Sequence, residues 1–422
     1  MKFVLIYMCY SFTFENSPVT MKDNGISVVI TEKGFEDYIG RNIDFGNDFV
    51  KNLQIPDINL SLGLVNVMFT DIVVADMLFP RPQLDFNAQN RFVQFKFEEI
   101  MLDIKLQFRI QQQSYPYISD HGSGQLLITD TNMSLNLGAN ISKSCPNHIN
   151  VEAQNFNMKV GELRINLNSS MDFLIESVIA LLTDSMISVF EEKIAQFMRD
   201  AFVQIANNGL DENEELSTLK GHNNTVETDQ RWNQIYIFDQ FFETYSPGQI
   251  CYRINTTCYD YLPVVVQKRP QYMTNNGIQY FINKVVFQSQ FIELVKHNYL
   301  PNDTFFDVSI TLEKIVATGL YTTVKYKQKE GNTELNLLLK VKSKRYHVSD
   351  ILDYIGWPSE VSVVVDCIGK CDNTGDFITL LNTALQNTCP DYTNGNGIDA
   401  ENCVTHYYSE EWIDFACEVL KS

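Results

Sequence analysis

A long helix with a single apolar stripe is the feature that most constrains how this chain can fold. The sequence from Asn168 to Asn208 contains neither proline nor glycine, and Gly209 is the predicted C-terminal stop. Apolar residues recur there in steps of mostly three or four, which places them on one face of the helix. They are Met171, Leu174, Ile175, Val178, Leu182, Met186, Phe190, Ile194, Phe197, Ala201 and Ile205. Such a stripe is most often plain core, so alone it predicts burial and not a ligand.

The strands that precede the helix predict the surface that covers it. From Leu102 to Gln111 every even position is apolar and every odd position is polar, which is typical of a strand with one dry and one wet face. Weaker alternation surrounds this stretch, and polar segments such as Ser119–Gly124 are predicted to be turns between antiparallel neighbours. Residues 58–167 therefore predict a large antiparallel sheet, and the polar residues 207–231 predict an exposed loop after the helix.

Two stretches carry a family resemblance. The first, Gly25–Asp57, is GISVVITEKGFEDYIGRNIDFGNDFVKNLQIPD and predicts a strand, a helix and an exit at Ile55-Pro56-Asp57. The second, Leu135–Leu210, has two alternating strands separated by CPNHIN at Cys145–Asn150, and then the long helix. In this order and with these gaps they resemble the first domain of the lipid-binding serum glycoproteins. That family includes bactericidal/permeability-increasing protein, lipopolysaccharide-binding protein, and the phospholipid and cholesteryl ester transfer proteins.

The resemblance is good over residues 22–210 and thin beyond them. It implies an α+β, elongated two-domain tubular lipid-binding fold. Each half would be a curved antiparallel sheet wrapped around long amphipathic helices, and a central sheet would join the halves. The expected organisation is a first barrel-like domain at 22–231, a central sheet with a second, shorter related domain at 232–366, and a Cys-rich tail at 367–422. An entry helix is predicted across Ile278–Val295, where apolar residues follow a helical spacing.

The family's function would place acyl chains in an apolar channel between sheet and helices, with a phospholipid-like molecule as ligand and no catalysis. The residues expected to line the channel are Phe35, Ile39, Phe49, Leu53, Ile104, Leu106, Phe108, Leu174, Val178, Leu182 and Met186. We expect a bound phospholipid but no cofactor, carriage or transfer of the lipid, and transient membrane contact at most. The alternative function is that of a structural accessory subunit in a larger assembly, with permanently bound lipid.

Charge weighs against one family activity. Residues 1–245 hold 17 Lys and Arg against 32 Asp and Glu, so 17 − 32 gives −15 of the formal −20 of the whole chain. An acidic surface repels nucleic acid and anionic membranes. Family members that capture lipopolysaccharide use a strongly basic first-domain tip, so antibacterial lipopolysaccharide binding is disfavoured here. The sequence contains no run of 18 apolar residues, so it predicts no membrane-spanning helix.

The cysteines predict an oxidising compartment. Residues 1–16 form a candidate signal peptide, whose removal would take Cys9 and leave eight cysteines. Cys251 and Cys258 are predicted to pair across a short hairpin loop. The other candidates for disulfides are Cys145, Cys367, Cys371, Cys389, Cys403 and Cys417. A secreted or lumenal location follows, and Asn-x-Ser/Thr sequences such as that at Asn59 permit a glycoprotein.

One departure from the family concerns Cys145. Family members usually bridge the matching cysteine to one inside the long helix, yet no cysteine lies between Asn168 and Gly209. Cys145 is therefore either a free thiol or the partner of a distant cysteine.

Catalytic and metal motifs are weak. Asp120, His121 and Ser123 are residue types of a hydrolytic triad but lie in a predicted turn without a nucleophile elbow. Cys403 and His406 have a spacing that zinc ligands can have, although disulfides are favoured in a secreted chain. The loop Asp391–Asp399 lacks the glycine and glutamate of a calcium-binding loop. The sequence therefore predicts neither an enzyme nor a metal site.

Overall fold

A computed structural model describes residues 13–14, 24–37, 39–40, 54–142, 148–168, 172–211, 216–218, 226–255, 257–259, 262, 266, 268–271, 274–296, 307–328, 331–341, 344–349, 352–356, 359–372, 374–387 and 398–419. The chain divides into two compact units. What we call the first unit comprises Glu36–Ala139 and Val151–Asn208. The second unit comprises Met1–Phe35, Asn140–Asn150 and Gly209–Lys421.

Strands make up most of the described structure, and the helices are few. The strands are β1 Thr13–Phe14, β2 Ile26–Thr31, β3 Gln54–Ile55, β4 Ile58–Leu62, β5 Val65–Leu78, β6 Gln83–Asn87, β7 Phe92–Gln112, β8 Ser119–Ile141, β9 Ile149–Lys159, β10 Glu162–Asn168, β11 Leu216–Thr218, β12 Val226–Asp229, β13 Gln234–Ile237, β14 Phe241–Ser246, β15 Ile250–Ile254, β16 Thr257–Tyr259, β17 Ile278–Asn283, β18 Asp307–Val316, β19 Gly319–Gln328, β20 Gly331–Val341, β21 Lys344–Ser349, β22 Leu352–Gly356, β23 Ser359–Gly369, β24 Ile398–Tyr407 and β25 Trp412–Val419. The helices are α1 at residues 32–37 and 39–40, α2 at Asp172–Val189, Phe190–Ile194 and Ala195–Asp211, α3 at Lys284–Lys296 and α4 at Thr374–Asn387.

The first unit is built on an antiparallel sheet in which β10, β8, β7, β5 and β3 follow one another, while β4, β6 and β9 pair at the margins. The alternation predicted for Leu102–Gln111 is confirmed. Every even side chain there is buried, and the odd ones are exposed except Asp103, which is half-buried. The reason is the two-residue period of a strand, which sends successive side chains to opposite faces. This sheet therefore has the dry face that the sequence predicted.

The turn predicted at Ser119–Gly124 is wrong. These residues begin β8, and the reversal lies one step earlier, at residues 113–118. Gly122 and Gly124 are strand residues here because Phe108 and Leu106 on β7 lie across from them. A Cβ at Gly122 would lie 3.0 Å from the Phe108 ring, and one at Gly124 would lie 2.9 Å from a methyl group of Leu106. The glycines thus make room for neighbouring side chains and do not mark a turn.

Helix α2 confirms the predicted long helix, with two departures. It runs two residues past Gly209, to Asp211, so the predicted stop at that glycine is wrong. Its middle turn, Phe190–Ile194, is a π-helical segment. One inserted residue in a π turn rotates the face that follows, and the apolar spacing of the sequence did not indicate it.

The second unit contains three larger sheets and one strand pair. Its central sheet has the order β13-β14-β2-β17-β25-β24 and is antiparallel throughout. A four-stranded antiparallel sheet follows the order β18-β19-β20-β23, and a smaller sheet follows β1-β16-β15-β12-β11. Strands β21 and β22 pair with each other. Fully buried rings of Phe281, Phe287, Phe291 and Phe377 belong to the core of this unit.

Two expectations for the second unit are corrected. The predicted entry helix at Ile278–Val295 begins only at Lys284, because Ile278–Asn283 form β17, buried on both faces. A continuous apolar run is consistent with either element, so spacing alone could not separate them. The expected loop at 207–231 contains the wholly buried strand β12.

The expectation that each half wraps around long helices overestimates the helix content. The helices of the second unit, α3 and α4, have 13 and 14 residues, and sheets dominate the described fold. The segment expected as a Cys-rich tail supplies β25, which lies between β17 and β24 in the central sheet. None of the described helices combines the length and hydrophobicity that a membrane-spanning segment requires.

Candidate functional site

The dry face of the first unit's sheet and α2 form one apolar cluster. Its buried members on the strands are Ile55, Ile58, Val67, Phe69, Ile72, Val74, Met77, Phe97, Ile100, Leu102, Ile104, Leu106, Phe108, Ile110, Leu126, Ile128, Met133, Met158, Leu163 and Leu167. Its buried members on α2 are Leu182, Met186, Val189, Phe190, Ala195 and Met198. Every one of these residues belongs to the first unit, so the cluster is an interior of that unit alone.

The structure brings five of the predicted channel residues into this interior. Ile104, Leu106 and Phe108 come from β7, and Leu182 and Met186 come from α2. Each of the five is at most 3% exposed. Leu182, Met186 and Phe190 of the predicted helix stripe thus belong to one cluster with the even positions of the strand. After the π turn the helix contributes Ala195 and Met198, which the predicted stripe did not include.

The other predicted channel residues are not among the described members of this cluster. Leu174 and Val178 lie on α2, but their side chains are not described, and Phe49 and Leu53 lie outside the described residues. Ile39 is half-buried in α1. Phe35 belongs to the second unit, where its ring meets the ring of Phe242 edge-on at 5.8 Å between centroids.

Five methionines belong to the cluster: Met77, Met133, Met158, Met186 and Met198. Methionine is unbranched and polarizable, so a methionine-rich interior adapts to contents of irregular shape. Of the five, only Met186 was expected at the site. Met133 and Met158 lie on alternating strands, and their residue type was the signal that could have drawn attention to them.

Three phenylalanine rings lie together in the same interior. The ring of Phe79 meets those of Phe97 and Phe202 edge-on, at 5.1 and 5.8 Å between centroids. The rings of Phe97 and Phe202 are stacked at 6.4 Å. Phe79 follows β5 outside any alternation, so no periodic pattern predicted its burial.

A second feature of the first unit is an exposed aromatic tip, which we define as Leu64, Tyr115 and Tyr117. The backbone N–H of Gln113 donates to the carbonyl of Leu64 at 2.8 Å, so the turns β4–β5 and β7–β8 lie side by side. The three tip side chains are 63%, 86% and 68% exposed.

The tip lacks acidic side chains. Residues 58–70 and 104–119 contain no Asp or Glu, although the whole chain carries −20. Large exposed apolar and aromatic side chains that lie together on a protein surface are typical of interaction sites. Sequence analysis missed this feature because the two turns are distant in the chain and meet only in the fold.

The disulfides lie in the second unit. Cys251 and Cys258 are paired as predicted, and Cys367–Cys371 and Cys403–Cys417 are the other two described pairs. The pairing of Cys403 with Cys417 removes it as a zinc ligand beside His406. Cys145, Cys389 and the loop at 391–397 lie outside the described residues.

Polar groups provide no triad in the described parts of the chain. Asp120, His121 and Ser123 all lie on β8, where Asp120 shares the dry face and the other two share the wet face. Within the same described parts, no cluster of three His, Cys, Asp or Glu side chains is arranged to hold a metal ion.

Comparison with solved structures shows a likeness in fold. Lipopolysaccharide binding protein matches with a TM-score of 0.60 at 10% identity, over 94% of this chain and 99% of that one. Takeout 1 of Epiphyas postvittana matches with a TM-score of 0.30 at 11% identity, over 43% of this chain and 91% of that one. P47 of Clostridium botulinum E1 matches with a TM-score of 0.29 at 10% identity, over 94% and 100%.

Of these three, only the likeness to lipopolysaccharide binding protein is strong enough to indicate the fold. It shows that this chain has a fold like that of lipopolysaccharide binding protein. No protein-family model matches the sequence. No curated protein matches it either.

Proposed function

We propose that this chain binds an amphipathic lipid, with the acyl chains held between the sheet and α2 of the first unit and the headgroup facing solvent. The observation that carries the proposal is the apolar cluster shared by the dry sheet face and the stripe of α2, in a fold like that of lipopolysaccharide binding protein. The role is carriage or transfer and not catalysis.

Desolvation supplies the binding energy. Each methylene group that leaves water contributes about 0.8 kcal/mol. Two ordinary acyl chains therefore exceed the cost of ordering the ligand, which is of the order of 10 kcal/mol. The interior methionines suit such a ligand because their side chains can follow flexible acyl chains.

A phospholipid-like ligand fits the charge better than lipopolysaccharide does. Lipopolysaccharide binding protein is named for a strongly anionic lipid, whereas residues 1–245 of this chain sum to −15. An acidic first half repels such a ligand. A phospholipid with little net charge meets no such barrier.

The aromatic tip is the proposed point of transient membrane contact. Aromatic side chains with a polar end favour the interface between water and lipid, and Tyr115 and Tyr117 are of this type. The absence of acidic residues from the two turns removes repulsion from an anionic surface. A carrier that takes lipid from a bilayer needs such a contact.

Mass spectrometry of lipid extracted from gently purified protein tests the proposal. We expect a stoichiometric diacyl lipid, and uptake of labelled phosphatidylcholine from vesicles when the protein is delipidated. Protein that carries no lipid and takes none from vesicles contradicts lipid binding.

The alternative role is that of an accessory subunit with permanently bound lipid. The three described disulfides and the acidic surface are as compatible with a stable contact to a partner protein as with solubility. Transfer of labelled lipid between donor and acceptor vesicles separates the two roles. Lipid that does not exchange, in protein that purifies within a larger complex, favours the accessory role.

A further inference from the structure

A recess of about 390 Å³ opens on the wet face of the first unit's sheet, on the side opposite the apolar interior. Its lining residues are Asp71, Lys105, Leu106, Gln107, Ser123, Gly124, Gln125, Asn166 and Asn168. They come from four neighbouring strands, β5, β7, β8 and β10, all within the first unit. We propose that this recess is a binding site for a neutral polyhydroxylated ligand, a saccharide.

Strand register arranges the walls of the recess in two rows. Lys105, Gln125 and Asn166 are partners across β7, β8 and β10 and form one row. The second row, two residues away along each strand, consists of Gln107, Ser123 and Asn168.

The backbone at Leu106 and Gly124, which face each other, lies between the rows. Neighbouring strands are about 5 Å apart and the rows about 7 Å apart, which matches the footprint of one or two sugar rings.

Most polar side chains that line the recess are free to form hydrogen bonds with a ligand. Within the described part of the chain, the side chains of Lys105, Gln107, Ser123, Asn166 and Asn168 make no hydrogen bond or ion pair with protein groups. Elsewhere in the same sheet, cross-strand amides bond directly, as Gln94 Nε2 does to Asn136 Oδ1 at 2.9 Å. In the recess itself, Gln125 Nε2 donates to Asp103 Oδ1 at 2.8 Å, so that amide is already paired. The five side chains named above remain available to a ligand.

The residue types select the ligand. Amides and hydroxyls both donate and accept, so they pair with adjacent hydroxyl groups, which also do both. Lys105 and Asp71 balance each other in charge, which favours a neutral ligand in a chain that is otherwise strongly acidic. Asp71 is the extra residue of a β-bulge, with φ of 51°, and such bulges often re-aim a side chain at a functional site.

Titration of the intact protein with a panel of neutral oligosaccharides tests the site. Asn168 opens an Asn-Ser-Ser acceptor sequence, so all measurements use a Ser170→Ala background that cannot carry a glycan there. We expect saturable calorimetric binding of at least one member of the panel. The double variant Gln107→Ala/Asn166→Ala should weaken it by roughly tenfold or more, because each lost hydrogen bond weakens binding several-fold.

Gln111→Ala is the matched control, because Gln111 is exposed on the same face of β7 but lies outside the recess. It should bind as the parent does. Failure of the whole panel to bind overturns the proposal, and so does equal weakening by the control. Lipid content of each variant is measured in parallel, so that a failure of this site and a failure of the apolar interior are distinguished.

The same sugar can be free or part of a lipid headgroup. Vesicles of phosphatidylcholine with and without a neutral glycosylceramide separate these sources. Binding to the glycolipid vesicles that a free oligosaccharide competes away supports a headgroup ligand at this site, and oligosaccharide binding without vesicle binding supports a free glycan.

Discussion

His406 and Asp414 face each other across β24 and β25, with 3.0 Å between His406 Nδ1 and Asp414 Oδ1. The Asp414 side chain is fully buried, while that of His406 is one-third exposed. Gln279 of β17 donates to the other carboxylate oxygen. Burial raises the pKa of Asp414 above the ordinary aspartate value, and the hydrogen bonds from Gln279 and His406 only partly oppose this.

The raised pKa of Asp414 predicts a pH-dependent stability. A folded state with the higher pKa holds the proton more tightly, so this contribution is complete below the unfolded pKa and is lost as pH rises through the folded one. Asp414→Asn removes the titration. We expect the free energy of unfolding of the parent, relative to the variant, to fall as pH rises through that window. Urea unfolding at a series of pH values measures it, and a difference that grows with pH contradicts the assignment.

Met186 provides a test of the apolar interior. Its side chain is fully buried on α2, so Met186→Gln places an amide among apolar groups and should reduce the lipid content of the purified protein. Met186→Leu keeps volume and hydrophobicity and should keep the lipid. Extracted lipid per protein is measured by mass spectrometry, with circular dichroism to verify folding. Equal lipid in both variants would place the ligand elsewhere.

The aromatic tip should control the rate of lipid uptake. Tyr115→Ser/Tyr117→Ser removes two interfacial side chains and should slow uptake from vesicles by roughly tenfold or more. Full burial of one large apolar side chain contributes about 1.5–3 kcal/mol, so even partial insertion of the two rings exceeds the roughly 1.4 kcal/mol of a tenfold change. Leu78→Ser is the control, because Leu78 is also exposed but lies at the other end of β5 from the tip. The lipid content at saturation should not change. A control as slow as the tip variant would show that the tip has no special role.

Gly122 should tolerate no side chain. A Cβ there would lie 2.0 Å from the carbonyl oxygen of Asn168, a backbone atom in the paired strand β10. Gly122→Ala should therefore cost about 1–3 kcal/mol of stability, the usual range for overpacking. Gly375→Ala in α4 meets nothing within 4 Å and should be neutral or stabilising by up to about 1 kcal/mol. Thermal unfolding compares the two, and the opposite ranking would contradict the packing of β8 on β10.

The disulfides should be reduced in a fixed order. Cys251 and Cys258 are fully buried, whereas Cys367 and Cys371 are partly exposed. Thiol–disulfide exchange needs access of a thiolate to sulfur, so dithiothreitol should open Cys367–Cys371 first. Loss of Cys251–Cys258 through Cys251→Ala/Cys258→Ala should cost about 2–3 kcal/mol. Timed alkylation and peptide mapping give the order, and simultaneous opening under native conditions would contradict it.

Periodicity predicted the elements that have one dry face. The even positions of β7 and the stripe of α2 as far as Phe190 could be foreseen because a half-buried element leaves a pattern with its own period. Strand β17 could not be, since its two buried faces leave a continuous apolar run. Gly122 was misplaced because its meaning depends on Phe108, which is adjacent only across the sheet. The tip and the recess proposed for a saccharide have the same origin, as pairing between distant segments creates both.

The position of β25 determines when folding of this chain can be completed. Its central sheet joins β2, which begins at Ile26, to β25, which ends at Val419, and β25 separates β17 from β24. During synthesis, the described strands of the first unit's sheet are all available once Asn168 has left the ribosome, and α2 follows at Asp211. Domains generally fold as they emerge, at about 5–20 residues per second. The apolar interior could thus form tens of seconds before the central sheet closes. If it holds lipid as we propose, loading during translation, ahead of final assembly, is a natural order of events.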